Sequence, residues 1–86
     1  MRRGIGLDDK KLLKHFGQQV RYYRKQHDLK IHELAEELNI SNNHLGRIER
    51  GESDTTITNL YRMAAVLDIP DYFVNEMKKV VQSDDQ

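Results

Sequence analysis

The 86-residue chain has no cysteine and a single proline, and its Lys and Arg residues exactly balance its Asp and Glu residues at 14 each. Without cysteine there is no disulfide framework and no thiolate zinc site, which is consistent with the cytosol. No apolar run approaches the ~18 to 20 residues of a membrane span. The N-terminus also lacks the apolar stretch of a signal peptide, so the expectation is a soluble, cytoplasmic protein. The histidines His15, His27, His32 and His44 do not have the i, i+4 pairing of a helical metal site. No set of Ser, His and carboxylate suggests nucleophilic catalysis, so neither an enzyme nor a bound metal or cofactor is expected. A chain this short supports one core, without a wide active-site cleft, and has room for a bundle of about five short helices.

Zero net charge gives no general attraction to nucleic acid, which is dominated by Lys and Arg. The distribution is less even. Residues 1–50 carry eleven Lys or Arg against seven Asp or Glu, and residues 51–86 carry three against seven. A basic half of this kind suits a specific binder whose acidic groups point away from the ligand.

Apolar periodicity describes the elements. Residues 1–8 read as a flexible basic arm with Arg2 and Arg3, and Asp8 is placed to cap a first helix. That helix carries a core stripe of Leu13, Phe16, Val20, Tyr23 and His27 and ends near His27 or Asp28. Gly17 interrupts it as a close-packing point or slight kink, at ~1 kcal/mol relative to alanine. Thr55 or Thr56 caps a later helix with the stripe Ile57, Leu60, Met63, Ala64 and Leu67. Pro70 and Asp71 suit the first turn of a final helix over about 70–81, and residues 82–86 read as a disordered polar tail.

Between these lie Ile31 to Arg50, two short amphipathic segments hinged at Asn39. Leu34, Ala35 and Leu38 share one face of the first, Leu45 and Ile48 one face of the second, with Ile40 between them. Ala35 permits close approach, Asn39 accepts the left-handed conformation of a sharp turn, and Gly51 stops the second segment. This is the layout of a helix-turn-helix reader of DNA.

From Phe16 to about Phe73 the chain resembles the lambda-repressor-like, Cro and Xre type of helix-turn-helix domain. The resemblance rests on Phe16-Gly17, Val20-Arg21-Tyr22-Tyr23-Arg24, Glu33-Leu34-Ala35, Ile48-Glu49-Arg50-Gly51 and Met63-Ala64-Ala65-Val66-Leu67 in combination. Among relatives, the controller proteins of restriction-modification systems look closest in length and in the extended final helix. The resemblance implies an all-α fold and a transcriptional regulator that reads double-stranded DNA in the major groove. It maps Asn42, Asn43, His44 and Arg47 onto base-facing positions, and Arg50 onto phosphate. Side-chain chemistry agrees, since Asn pairs two edges of adenine and Arg two of guanine. Lys30, Ser41 and Thr56 are further phosphate candidates, Ser41 also as an N-cap and Lys30 and Thr56 also as plain helix-end residues. In similar proteins the positions of Arg24 and Glu49 form an ion pair.

Departures limit the transfer. Lys30 stands where a Ser or Thr cap is usual and offers no acceptor, Ile31 stands where many relatives have Gln, and Thr55 replaces a frequent proline. Gly46 weakens the reading helix, so that either DNA orders it or its outer face is tolerant. Reading successive major grooves calls for recognition helices ~34 Å apart, hence a homodimer on a pseudo-palindromic operator. With no ligand-binding or sensory segment in the sequence, control by protein concentration and autoregulation are expected. Tyr72, Phe73, Met77, Val80 and Val81 are the expected interface. The alternative is a protein-interaction module, of antitoxin or anti-activator type, that touches DNA weakly or not at all.

Overall fold

The computed structural model describes residues 9–81, with the backbone alone for Val81. The arm at 1–8 with Arg2, Arg3 and the Asp8 cap, the tail at 82–86 and the Val81 side chain lie outside the described residues. Five helices run in order: α1 Asp9–Gln26, α2 Ile31–Leu38, α3 Asn42–Glu49, α4 Ile57–Leu67 and α5 Phe73–Val81, with no strand among the described residues. The fold is all-α. The long α1 packs against α3, α4 and α5, and α2 packs against α3 and α4.

Helices of eight residues are not stable alone and form here because each buries an apolar face. Val20, Leu34, Leu38, Leu45, Ile48, Met63 and Leu67 are fully buried, ringed by Phe16, Ala35 and Phe73. All but α5 end in the same way. Asp28, Asn39, Gly51 and Asp68 follow α1 to α4 with positive φ of 57°, 58°, 78° and 54°. The next amide then reaches back to a carbonyl five residues earlier: Leu29 to Arg24, Ile40 to Ala35, Glu52 to Arg47 and Ile69 to Ala64, at 2.8 to 3.1 Å. This cap satisfies carbonyls that the helix leaves open and turns the next side chain inward. Leu29, Ile40 and Ile69 accordingly pack against the core, so each turn is fixed by burial of the residue after it. Glu52 is polar and does something else.

Gly17 is a close-packing point. A Cβ there would lie 2.3 Å from the Ile48 carbonyl oxygen and 2.6 Å from that of Glu49, so α1 meets the backbone at the end of α3 with no side chain between them.

Three expectations need correction. First, α5 starts at Phe73 and not at Pro70 or Asp71. The Phe73 amide donates to the Pro70 carbonyl at 3.0 Å, which makes Pro70 to Tyr72 a turn before the helix. Second, His27 leaves the core stripe. It lies beyond the end of α1, exposed, with Nε2 2.7 Å from the Leu67 carbonyl oxygen, where it ties α1 to the end of α4. Third, Ile57 is 68% exposed although it continues the α4 stripe, because it belongs to the first turn, which projects past the core.

Gly17→Ala should lower unfolding free energy by at least ~1 to 3 kcal/mol, since backbone must move to admit the methyl group. Asp68→Gly should raise it by up to ~1 kcal/mol by relieving left-handed strain. Urea unfolding of the two variants checks both signs.

Candidate nucleic-acid interface

What orients α3 is a chain of contacts on its inner side. Leu45 and Ile48 are fully buried, and Glu49, on the same side, is 8% exposed. The Glu49 carboxylate accepts from Arg24 twice, Nε to Oε2 at 2.7 Å and Nη2 to Oε1 at 3.1 Å. Arg24 Nη1 donates to the Leu29 carbonyl at 2.9 Å. One guanidinium thus joins α1, the α1–α2 turn and the end of α3, with side chains 11% and 6% exposed. Two-pronged geometry and the extra carbonyl satisfy the buried charges, which would otherwise cost several kcal/mol to desolvate.

With the inner side fixed, the opposite side of α3 faces outward. Ser41 is its N-cap, in extended conformation, with Oγ accepting from the His44 amide at 3.0 Å. Asn42, Asn43 and Arg47 are exposed and His44 is half-buried. Asn43 and Arg47 are four residues apart and therefore stack on one stripe of the helix. Asn42, Asn43 and His44 stand in the first turn of a short, firmly held helix, at the positive end of its dipole, and Arg47 stands in its last turn.

The remaining candidates are more dispersed. Lys30 is exposed at the N-cap of α2, where its own amide donates to Glu33 Oε1 at 2.7 Å, while the Glu33 amide, which a Ser or Thr side chain would cap, donates to the Lys30 carbonyl at 3.0 Å. Thr56 caps α4, its Oγ1 accepting from the Asn59 amide at 3.1 Å, which decides between the two threonines. Thr55 Oγ1 is buried without a hydrogen-bond partner. Arg50 is exposed but engaged: Nε and Nη2 donate to Glu52 Oε2 and Oε1 at 3.1 and 3.2 Å. Hydrogen bonding to Arg50 holds the Glu52 carboxyl below the usual carboxylate range, and the same bond raises Arg50. Both are charged at neutral pH. The pair is lost only as pH falls through the lowered range of Glu52, and solvent screening keeps its effect on stability small.

Gly46 stands on the outer side of α3 but is covered there. It is buried, although Asn43, Arg47 and Arg50 around it on α3 are all exposed. Of the expected interface, Phe73 is turned inward: it is 8% exposed, with its ring centroid 6.0 Å from that of Phe16. Met77 is half-buried and packs on the core, and Val80 is half-buried. Tyr72 remains exposed at 63%. It also neighbours Tyr23, whose phenol burial pushes up, with the hydrogen bond to Tyr72 adding to the effect.

Sequence reasoning missed two features. Glu52 was unassigned, although a carboxylate directly after a helix-stopping glycine and two residues beyond an arginine was a usable signal. The other is an open apolar groove of about 640 Å³ among α1, α4 and α5, lined by Leu12, Phe16, Leu60, Ala64 and Met77, with Thr55 in its wall. Ile57, Tyr61 and Val74, exposed by 68%, 69% and 64%, also line it. No grouping of three or more His, Cys, Asp or Glu able to hold a metal occurs among the described residues.

Residues 20–73 match the Helix-turn-helix family model. Among solved structures, the restriction-modification controller protein C.AhdI from Aeromonas hydrophila is 32% identical, with a TM-score of 0.61, over 69% of this chain and 88% of that one. An HTH_3 family transcriptional regulator from Vibrio cholerae is 30% identical, TM-score 0.68, over 83% of this chain but only 41% of its own length. The clp gene regulator ClgR from C. glutamicum, at 24% identity and TM-score 0.69 over 81% and 91% of the two chains, shares the fold. No curated protein matches the chain.

Ser41→Ala should cost ~1 kcal/mol of stability through loss of the cap. Asn43→Ala and Arg47→Ala, on the outward stripe, should stay within ~0.5 kcal/mol of the parent. Thermal melting separates the two classes; a large loss in the second would mean that those side chains are structural.

Proposed function

The chain belongs to the helix-turn-helix (HTH_3) family of Xre/Cro-like DNA-binding transcriptional regulators, and we propose that it acts as a homodimer on a pseudo-palindromic operator and regulates its own promoter through its concentration. The observation that carries this reading is the division of α3: its inner side is locked to α1 through Arg24 and Glu49, and its outer side offers Asn42, Asn43 and Arg47 to solvent. In this reading the N-terminal half of α3 enters the major groove. Asn42, Asn43, His44 and Arg47 read base edges, while Lys30, Ser41, Arg50 and Thr56 meet phosphate.

A second copy covers the apolar face made by α4 and α5. Ile57, Tyr61 and Val74 supply exposed apolar surface along the groove, and a patch of this kind on a small domain marks an interface. The dimer residues shift accordingly from Phe73, which the core takes, to Tyr61 and Val74 beside Tyr72. The same groove is what favours a second reading, a module that grips another protein and binds DNA weakly.

Selection from fragmented genomic DNA at near-physiological salt tests the proposal. Enrichment of a two-fold symmetric motif with half-sites about one helical turn, ~10 base pairs, apart is the expected result. Absence of enrichment, with association that is insensitive to salt, would favour the second reading. Arg47→Ala should relax preference at one position of each half-site by ~1 to 3 kcal/mol. Val74→Glu should shift sedimentation toward the monomer and weaken operator binding together. A reporter fused to the chain's own promoter that does not respond to changing protein level would remove the autoregulation.

A further inference from the structure

Gly46 lies in the middle of the outward stripe of α3, with Asn43, Arg47 and Arg50 exposed around it, yet it is itself buried. What covers it is identifiable. A Cβ at Gly46 would lie 3.1 Å from Arg50 Nη1, 4.0 Å from Arg50 Cζ and 3.9 Å from Ile31 Cδ1. The Arg50 guanidinium is therefore laid back across the bare backbone of α3, in a seat closed on its other side by the first turn of α2. A β-carbon would crowd Nη1 there and push it outward by a few tenths of an ångström.

A second contact holds the guanidinium there. Glu52 takes its Nε and Nη2 edge at 3.1 and 3.2 Å. The Glu52 side chain is exposed, but its backbone is fixed: its amide donates to the Arg47 carbonyl at 2.8 Å, through the left-handed turn at Gly51. At the corresponding place after α1, α2 and α4 stands an apolar residue that packs on the core, and here alone stands an acid that turns back along the helix. The cap of α3 thus aims Glu52, and Glu52 aims Arg50. Two of the five guanidinium N–H groups are used, and the pair of hydrogens on Nη1 stays at the seat between α3 and α2.

We propose that Gly46 and Glu52 are positioning residues for DNA binding, which hold the Arg50 guanidinium across α3 in the orientation that receives a backbone phosphate. The proposal rests on the DNA-reading function above. An arginine left free must be immobilised on binding, at about 0.5 to 1.5 kcal/mol for a side chain with so many rotamers, equivalent to a two- to tenfold change in affinity. A residue that merely adds negative charge near DNA would act in the opposite sense.

The contrast in sign makes the test. Duplex binding is measured against salt for the parent, Gly46→Ala, Glu52→Ala, Arg50→Ala and the two double variants that combine Arg50→Ala with each of the others. Thermal melting runs alongside. Glu52→Ala is expected to weaken binding by about two- to tenfold although it removes an anion. Gly46→Ala should melt at or above the parent temperature, because alanine favours helix over glycine, and still bind more weakly by a similar factor. In the Arg50→Ala background neither substitution should weaken binding further. Tighter binding by Glu52→Ala, parental affinity in Gly46→Ala, or full effects that persist without Arg50 would each overturn the proposal while leaving DNA binding intact. A parent protein that binds no duplex at low salt would overturn the underlying function, and this proposal with it.

Discussion

The Arg24–Glu49 pair is the constraint on which the arrangement of α3 depends. It is the point where the longest helix, the turn after it and the end of α3 are joined by one planar group. The eight residues of α3 are too few to hold their own direction, and burial of Leu45 and Ile48 fixes which side faces inward without fixing the angle along the α1 surface. A two-pronged ion pair supplies that angle, because guanidinium and carboxylate must be coplanar and close. Gly17 supplies the distance, since only a residue without a β-carbon lets α1 touch the Ile48 and Glu49 carbonyls. Orientation and spacing of α3 are therefore set from its inner side, leaving Asn42, Asn43 and Arg47 on its outer side unconstrained by the core.

The same economy governs the turns. A left-handed residue and an inward-turned apolar residue close α1, α2 and α4, so that the short connections are anchored by the core they surround. At α3 the cap is retained but its final residue is Glu52, and the connection to α4 is correspondingly polar at Glu52, Ser53 and Asp54. There the side chain after the cap turns to Arg50 instead of the core.

Much of the architecture was legible from the periodicity of apolar residues. Leu34, Ala35 and Leu38, then Leu45 and Ile48, marked two buried faces, and Asn39 marked the turn because few residues other than glycine take positive φ without strain. What periodicity could not tell was which stripe residues lie beyond the edge of the core. Ile57 and His27 continue their stripes but fall in a terminal turn, and one is exposed while the other caps the end of α4. Phe73 shows the converse: an aromatic residue on a late amphipathic helix looks available for a partner until Phe16 is seen to need it. Pro70 misled about the start of α5, because proline suits a turn and a first helical position equally well. At the candidate site, the positions on α3 followed from helical spacing and family resemblance. The engagement of Arg50 by Glu52 and its seat at Gly46 depend on the conformation of the cap, which sequence spacing alone does not give.

The arrangement stands on one structural feature: α3 is held by a coupled pair of buried charges, Arg24 and Glu49. A double-mutant cycle with Arg24→Met and Glu49→Leu, followed by urea unfolding at low temperature, measures that coupling directly. Each single substitution strands a buried charge and should cost ~3 to 5 kcal/mol, while the double variant should recover much of the loss, a coupling of ~2 kcal/mol or more. Losses that simply add, to within ~0.5 kcal/mol, would show that the two residues act independently and that α3 is positioned by apolar packing alone.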